Sequence, residues 1–305
     1  MSGHSCRKEE AMELNKENSF ITSGSSYYDC VQRELESYAN SWKLSQFELI
    51  KNGSESCVLK CLSKDYGKVI LKMNKSVKVI EDEYNTLVEY NGRGFCRPYQ
   101  ADLVNGALLE EQIHPGTELR KVSSLDERLH IFCSIHQGLH IPSSKPTAYK
   151  SYLDWVTRIT RYMASQKDYP ELFDHMKIAE SLCKQLFLQY PSVMLLHGDL
   201  HHDNILLNSN HGYTIIDPKG ILGDPIFDVP RFILNEMEED LNQELYDKIN
   251  YIITSISKNL HIPIDVLKQC FFIEMAMAEC WNVEDSQQAN INNVRFVKRI
   301  LENEN

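Results

Sequence analysis

The pattern of hydrophobic and polar residues predicts a short helical stretch, then a small sheet, then a longer helical region. Apolar residues first recur with helical spacing from Tyr28 to Trp42. Downstream they form short runs between polar turns, which is typical of antiparallel strands. A helical pattern interrupts these runs around residues 80–88 and ends at Asn91-Gly92, where glycine can cap a helix. The predicted strands cover residues 47–50, 57–62, 68–73, 97–103 and 107–113.

After residue 114 the patterns become mainly helical, with one short β segment among the helices. The predicted helices cover residues 124–140, 147–165, 170–190, 235–257 and 263–282, and the predicted strands cover residues 193–196, 205–207 and 213–216. We therefore predict an α+β protein with a small antiparallel β lobe and a larger helical lobe. We assign residues 26–113 to the first lobe and residues 114–305 to the second, and we expect the polar residues 1–25 to form a disordered arm.

Composition narrows the function classes. The chain has 305 residues and a net charge of −11, and this acidic balance argues against binding the phosphates of nucleic acid. Its nine cysteines are scattered and match no zinc-ligand spacing, which favours reduced thiols. No apolar run reaches the length of a membrane span, and the polar N-terminus is unlike a signal peptide. We therefore expect a cytoplasmic protein that binds neither nucleic acid nor membranes.

One polar loop and the hairpin after it contain the candidate chemistry. Asp199 follows the predicted strand 193–196, so its carboxylate can orient a hydroxyl nucleophile and accept its proton. The side-chain oxygens of Asn204 and Asp217 are ligands of the kind that Mg²⁺ prefers. The two short strands between them predict a hairpin, which would return both residues to the same end. The set predicts phosphoryl transfer, with Asp199 as the catalytic residue and Asn204 and Asp217 as metal ligands.

A lysine in the predicted sheet supplies the other half of a nucleotide site. Lys72 follows three apolar residues on the strand 68–73, so we expect its stem to be partly buried. A buried ammonium needs an anion, and either a phosphate or a helix glutamate would serve. The helical pattern does not decide between Glu81 and Glu83, because both flank its apolar stripe.

The turn between the first two strands is poor in glycine. Gly53 permits one tight turn, and Ser54 and Ser56 can donate hydroxyl or amide hydrogens to a phosphate. The same residues also suit a plain hairpin. The turn is therefore a candidate phosphate-binding loop with a structural alternative.

Two other function classes compete with phosphoryl transfer. Residues 197–203 offer five potential metal ligands in seven positions, which suits a metal-dependent hydrolase but leaves Lys72 and Asp217 without a role. These ligands are His197, Asp199, His201, His202 and Asp203. A nucleotide-binding pseudokinase without turnover is the second alternative, supported only by the sparse glycine turn. His136 and His140 have helical spacing without a third ligand nearby, which favours helix packing.

The spacing of these residues resembles a known family. His197-x-Asp199-x-x-x-x-Asn204, followed by Asp217, is similar to the catalytic and metal-binding loops of the aminoglycoside phosphotransferases. The continuation Asp-Pro-Lys-Gly, and then Gly-Asp-Pro-x-x-Asp, resembles the streptomycin kinase and hydroxyurea-resistance kinase branch. The similarity covers roughly residues 35–285. It implies a two-lobed, protein-kinase-like fold and a Mg²⁺-dependent kinase that uses ATP or GTP.

The resemblance also implies a substrate and roles for further residues. The acceptor would be a small molecule such as streptomycin, so the activity would confer antibiotic resistance. Lys72 would contact the α- and β-phosphates, with Glu83, nine residues before Gly92, as its partner. By the same resemblance, adenine would contact backbone groups of Glu111, Gln112 and Ile113. The catalytic loop would be braced by His197, Asp224 and Asp228. A cationic acceptor would face five acids, which are Asp154, Glu274, Glu279, Glu284 and Asp285. The acceptor's identity stays open, as does the choice between monomer and dimer.

Overall fold

The structure, a computed structural model, describes residues 27–210 and 212–303, so the predicted arm at residues 1–25 lies outside the described part. The described residues form two compact units. The first contains the residues up to Tyr84 together with Arg97–Gln112, and the second contains Asn85–Cys96 and the residues from Ile113 onward. The assignment of these units to nucleotide and acceptor binding stays a prediction.

The first unit is built on a five-stranded antiparallel sheet. Its elements are α1 (Tyr27–Ser41), β1 (Leu44–Asn52), β2 (Ser56–Ser63), β3 (Gly67–Asn74), the start of α2 (Val77–Tyr90), β4 (Pro98–Asp102) and β5 (Ala107–Glu111). The strand order is β1-β2-β3-β5-β4. The strands and helices that the sequence pattern predicts for this region are present, with small shifts at their ends.

Alternation along the strands sorts side chains onto the two faces of this sheet. Leu59 on β2 and Leu71 on β3 are fully buried in a core that also contains Leu35 of α1. Successive residues of a strand point to opposite faces, so Lys72 lies on the face away from that core. Its cross-strand partner on β5 is Leu108, which makes Glu110 a diagonal neighbour on the same face. The pattern that buries the core thus brings Lys72 within reach of a carboxylate.

The second unit is mainly helical, and its described residues include two three-stranded sheets with the orders β10-β9-β6 and β7-β11-β8. The strands are β6 (Pro115–Glu118), β7 (Lys150–Ser151), β8 (Met194–Leu196), β9 (Ile205–Asn208), β10 (Gly212–Ile215) and β11 (Ile221–Gly223). The helices are α3 (Leu125–Leu139), α4 (Tyr152–Met163), α5 (Pro170–Gln189), α6 (Pro230–Leu234), α7 (Gln243–Leu260), α8 (Ile264–Glu284) and α9 (Ile291–Glu302), besides the end of α2.

Capping residues explain where two helices depart from their predicted limits. The helix expected from residue 147 starts at Tyr152, because Ser151 accepts the N–H of Asp154 and the two residues form a capping box. The helix expected from residue 235 starts at Gln243, because the Asn242 side chain caps it by accepting the N–H of Leu245. The pattern did not predict the short elements β6, β7, β11 and α6, nor helix α9.

Helix α8 forms the centre of the second unit. Its residues are buried on most of its circumference, among them Phe271, Phe272 and Met277, and it packs against α5 and α9. It also contains Glu274 and Glu279, both almost fully buried. Within the described residues, no helix combines the length and apolarity needed to cross a membrane.

Candidate active site

Lys72 is a buried cation of the first unit. Its Nζ atom lies 2.5 Å from Glu83 Oε1 on α2 and 2.9 Å from Glu110 Oε1 on β5. Glu81, the other glutamate in the predicted helix, forms an exposed ion pair with Lys78 instead. Sequence reasoning missed Glu110, although its diagonal position follows from pairing β3 with β5. The geometry therefore pairs Lys72 with Glu83 and adds a second carboxylate.

The candidate phosphate-binding turn tightly connects β1 and β2. Gly53 N–H donates to Ser56 O over 2.8 Å, and Lys75 Nζ donates to Ser54 O over 2.7 Å. These bonds fix the shape of the turn through its carbonyl groups. A role of Gly53, Ser54 and Ser56 in phosphate binding stays a prediction.

The three residues expected at adenine follow one another at the end of β5. Glu111 is the last residue of β5, and its N–H donates to Arg97 O over 2.9 Å. Gln112 is the last residue of the first unit, and Ile113, which is buried, begins the second. Their contact with a nucleotide stays a prediction.

The loop after β8 folds around the backbone of Asp199. The Asp199 carbonyl accepts the N–H of His201 over 2.9 Å and the side-chain amide of Asn204 over 3.0 Å. The Asn204 amide nitrogen also lies 3.2 Å from His201 Nε2, and Asn204 is buried. No donor among the described residues contacts Asn204 Oδ1. The loop therefore uses the NH₂ group of Asn204 and leaves its carbonyl oxygen to a possible metal ion.

The hairpin of β9 and β10 brings Asn204 and Asp217 to the same end. Ile205 pairs with Ile215 at the open end of the hairpin, and Ile216 N–H donates to Asn204 O over 3.0 Å. Asp217 follows with a left-handed backbone, at a φ of 59°. This arrangement was expected from the spacing alone, because antiparallel strands return the chain to its starting edge.

His197 braces this loop with both ring nitrogens. Its Nδ1 accepts the N–H of Asp199 over 3.0 Å, so Nε2 carries the proton and donates to Ile216 O over 2.8 Å. Burial lowers the pKa of His197 to about 4, which keeps the ring neutral in this tautomer. With both nitrogens bonded inside the protein, His197 is a poor metal ligand, and the hydrolase alternative loses a member of its cluster.

Asp228 anchors the start of the same loop. Its two carboxylate oxygens accept the N–H groups of His197 and Gly198, each over 2.7 Å. His140 Nε2 lies 3.0 Å from Oδ2. Burial alone would raise the pKa of Asp228, but the bonds from His140 and Gly198 outweigh it and lower the pKa. Asp224 caps the turn Pro225–Asp228, because its side chain accepts the N–H of Ile226.

Arg231, which sequence reasoning missed, joins Asp199 to α8. Its Nε atom lies 3.1 Å from Asp199 Oδ1, and its Nη2 atom lies 3.0 Å from Glu274 Oε1. Tyr152 O–H donates to Glu274 Oε2 over 2.5 Å. Burial raises the pKa of Glu274 against the opposing charge of Arg231. Arg231 lies in the unpredicted helix α6, and no local motif marks it.

Three of the five acids predicted to face an acceptor have partners of another kind. Asp154 caps α4 through Ser151, and Glu284 forms a two-pronged ion pair with Arg158. Glu274 binds Arg231, whereas Asp285 is exposed just beyond the end of α8. Contact of these four acids with an acceptor stays a prediction.

Glu279, the fifth acid, lines a cavity of about 360 Å³ between α6, α8 and α9. It is only 4% exposed, and its carboxylate accepts one N–H each from Asn282, Asn290 and Asn293. The described residues provide no cation in contact with it. Arg231 lines the same cavity, so the cavity begins one side chain away from Asp199.

The chain matches the sequence model of one protein family over most of its length. The model described as aminoglycoside/hydroxyurea antibiotic resistance kinase matches residues 41–286. The chain belongs to this family. The family predicted from the sequence motifs is therefore confirmed.

Curated relatives of this kinase family member include enzymes named for streptomycin. A streptomycin 3''-kinase from Klebsiella pneumoniae is 30% identical over 171 residues, which cover 53% of this chain and 60% of that enzyme. A streptomycin 6-kinase from Streptomyces glaucescens is 22% identical over 227 residues, or 72% of each chain. The chain thus aligns with less than two thirds of the Klebsiella enzyme.

Solved structures confirm the α+β, protein-kinase-like fold of this family member. A choline kinase from Streptococcus pneumoniae has a TM-score of 0.64 at 15% identity and covers 90% of this chain and 98% of its own. The aminoglycoside phosphotransferase APH(4)-Ia, in a complex with AMP-PNP and hygromycin B, has a TM-score of 0.60 at 10% identity. That alignment covers 89% of this chain and 97% of the other.

Proposed function

We propose that this protein transfers the γ-phosphoryl group of ATP to a hydroxyl of a small cationic acceptor, with streptomycin as the first candidate. The observation that carries the proposal is the arrangement of Asp199, Asn204 and Asp217 on one loop and hairpin, in a chain of this family. The streptomycin kinases among its relatives support the choice of acceptor. Inactivation of an antibiotic would be the result.

Lys72, Asn204 and Asp217 provide the charged and polar groups that a nucleotide and its metal need. The Lys72 ammonium, held by Glu83, is the group to contact the α- and β-phosphates. Asn204 Oδ1 and the Asp217 carboxylate are hard oxygen donors, so they fit Mg²⁺ and would hold it. When bound, the metal neutralises charge on the phosphates. The turn with Gly53, and the backbone at Glu111 to Ile113, would contact the rest of the nucleotide.

Asp199 performs the acceptor chemistry in this proposal. Its carboxylate accepts a hydrogen bond from the acceptor hydroxyl and directs the oxygen toward the γ-phosphorus. A new O–P bond forms while the bond from the γ-phosphorus to the bridging oxygen of ADP breaks, and the hydroxyl proton passes to Asp199. His197 and Asp228 keep the loop in position, since both side chains bind its backbone N–H groups.

The cavity at Glu279 supports a cationic acceptor. A buried carboxylate bonded only by neutral amides keeps its negative charge uncompensated, and buried charges are favourable when a partner of opposite sign is present. An ammonium or guanidinium group of the acceptor is such a partner. A volume of about 360 Å³ suits one ring of an aminoglycoside.

An acceptor screen tests the proposal directly. The purified protein is incubated with MgATP and with streptomycin, hygromycin B, hydroxyurea, choline or ethanolamine, and mass spectrometry identifies any phosphorylated product. We expect a streptomycin phosphate. The variant Asp199→Asn should lose turnover by roughly 10²–10⁴-fold and keep ATP affinity, and Asp217→Asn should lose Mg²⁺-dependent ATP binding.

Asp203→Asn is the matched control, because Asp203 lies in the same loop but pairs with Arg120. ATP binding without product from any acceptor would favour the pseudokinase alternative. Full turnover in Asp199→Asn would refute the role assigned to that carboxylate.

A further inference from the structure

Arg231 is a largely buried guanidinium placed between two carboxylates of the second unit. Its side chain keeps 17% of its surface exposed, and its Nε atom is fully buried. Nε lies 3.1 Å from Asp199 Oδ1, and Nη2 lies 3.0 Å from Glu274 Oε1. Neither the motifs nor the family resemblance singled out this arginine.

The backbone that holds Arg231 is the same segment that anchors the loop of Asp199. The turn Pro225–Asp228 ends in Asp228, whose carboxylate binds the N–H groups of His197 and Gly198. Helix α6 begins at Pro230, directly after this turn, and Arg231 is its second residue. The loop and the guanidinium are therefore fixed relative to each other by a few residues of backbone.

The guanidinium is also held by groups other than Asp199. Arg231 Nη2 forms an ion pair with Glu274 Oε1, and Tyr152 O–H donates to Glu274 Oε2 over 2.5 Å. The Trp281 ring lies 5.2 Å from the guanidinium carbon, within the range of a cation–π contact. A planar guanidinium held in this way presents charge in fixed directions, which a lysine ammonium cannot do.

The contacts of Asp199 are unequal for its two oxygens. Oδ1 faces Arg231 Nε at 3.1 Å, whereas the side-chain nitrogens nearest to Oδ2, Lys219 Nζ and His201 Nε2, are both 3.8 Å away. The Nε–H of Arg231 is not aligned for a hydrogen bond to Oδ1, so the contact is mainly ionic. One oxygen is thus restrained, and the other is left at a longer distance from its neighbours.

We propose that Arg231 is a positioning residue that restrains Oδ1 of Asp199, so that Oδ2 is presented to the acceptor hydroxyl. This inference rests on the proposed function, which makes Asp199 the residue that orients the hydroxyl. Misplacement of a reacting group by about 1 Å can cost roughly 100-fold in rate. Removal of Arg231 should therefore reduce turnover through Asp199 and leave nucleotide binding unchanged.

A double-mutant cycle with Asp199→Asn and Arg231→Met tests this inference, with streptomycin and MgATP as substrates. We expect Arg231→Met to lower kcat by roughly 10–100-fold with an unchanged KM for ATP. In the Asp199→Asn background the same change should lower kcat less than about twofold, because the carboxylate that it positions is gone. A merely structural role would reduce kcat by the same factor in both backgrounds.

Two further variants keep the test decisive. Arg158→Met is the matched control, since Arg158 forms a more exposed ion pair with Glu284 on α8, and we expect wild-type kcat. Arg231→Lys keeps the charge without the planar fork, so it should fold and recover only part of kcat even where Arg231→Met does not fold. Equal kcat for the wild type and Arg231→Lys, or equal factors in the two backgrounds, would overturn the inference. Wild-type turnover of Asp199→Asn alone would instead reject the proposed function.

Discussion

Lys72 in the first unit and Arg231 in the second are both cations shared between two carboxylates. Lys72 lies between Glu83 and Glu110, at 2.5 and 2.9 Å. Arg231 lies between Asp199 and Glu274, at 3.1 and 3.0 Å. Each cation has two carboxylate partners, but an ammonium and a guanidinium differ in chemistry.

The difference lies in how each cation fixes direction. A lysine ammonium is a point charge on a flexible stem with three rotatable donors, so it can exchange one carboxylate for a phosphate without losing its other contact. An arginine presents a rigid fork, and the ion pair of Arg231 with Glu274 therefore restricts the direction of its contact with Asp199. In the proposed function, the lysine of the first unit would therefore bind an anionic ligand, whereas the arginine of the second unit would orient a side chain of the protein itself.

Loss of the lysine charge is the largest effect that this contrast predicts. Lys72→Met should lower kcat/KM for ATP by roughly 10²–10³-fold, because a preorganised donor to the phosphates is removed. Lys72→Arg should recover little, since a planar fork does not reproduce a point charge between Glu83 and Glu110. Steady-state kinetics at varied ATP, with Lys68→Met as an exposed control on β3, provide the measurement. Equal kcat/KM for ATP in Lys72→Met and the wild type would contradict the role assigned to the lysine charge.

The next largest effect that we expect is a loss of stability in acid that is greater for the second unit than for the first. The described residues of the first unit contain no histidine, whereas burial lowers the pKa of His136 in the second unit from 6.5 to about 4. The unfolded chain binds this proton near pH 6.5 and the folded chain only near pH 4. The contribution of His136 to the free energy of unfolding is therefore fully present above pH 6.5. It falls by about 3 kcal/mol as the pH drops to 4.

Tryptophan fluorescence can assign this loss to one unit. Trp42 reports on the first unit, and Trp155 and Trp281 report on the second. Urea unfolding between pH 7 and pH 4, followed in a Trp42→Phe variant and in a Trp155→Phe/Trp281→Phe variant, should show the larger pH dependence for the second unit. His136→Gln keeps a donor for Pro225 O and should reduce that dependence. A steeper dependence at Trp42 would contradict the assignment.

The smallest effect that we expect concerns Glu279. Unlike the carboxylates around Lys72 and Arg231, it has no cation partner among the described residues. Glu279→Gln should raise KM for streptomycin by about tenfold and leave kcat nearly unchanged, as expected for loss of one charge-assisted contact. Asp154→Asn is the control: it should cost about 1 kcal/mol of stability through the cap of α4 without changing KM. The opposite pattern would place the cationic group of the acceptor at Asp154.

Features that depend on neighbouring residues could be predicted from the sequence. The apolar residues before Lys72 predicted that its stem is partly buried, and the hairpin spacing predicted that Asn204 and Asp217 return to one end. The choice of Glu83 over Glu81 needed the resemblance, because a helical stripe places both at its margin. Local periodicity therefore explains much of the first unit and of the loop.

Features that depend on distant segments could not be predicted. Arg231 approaches Asp199 only because a turn and a short helix bring them together, and Glu274 belongs to a helix much further along the chain. Helix α8 is buried on most sides, so its apolar pattern does not indicate which face meets Arg231. Pairing of that kind is a property of tertiary packing, which a single sequence does not reveal.

The left-handed backbone of Asp217 limits which residues can replace this aspartate. At a φ of 59° most side chains are strained, whereas asparagine and glycine tolerate the conformation. A lineage that no longer needs the carboxylate would therefore lose it most easily through asparagine or glycine, with the hairpin intact. An asparagine at this position in a descendant would thus indicate that the fold was kept after the carboxylate proposed to bind the metal was lost.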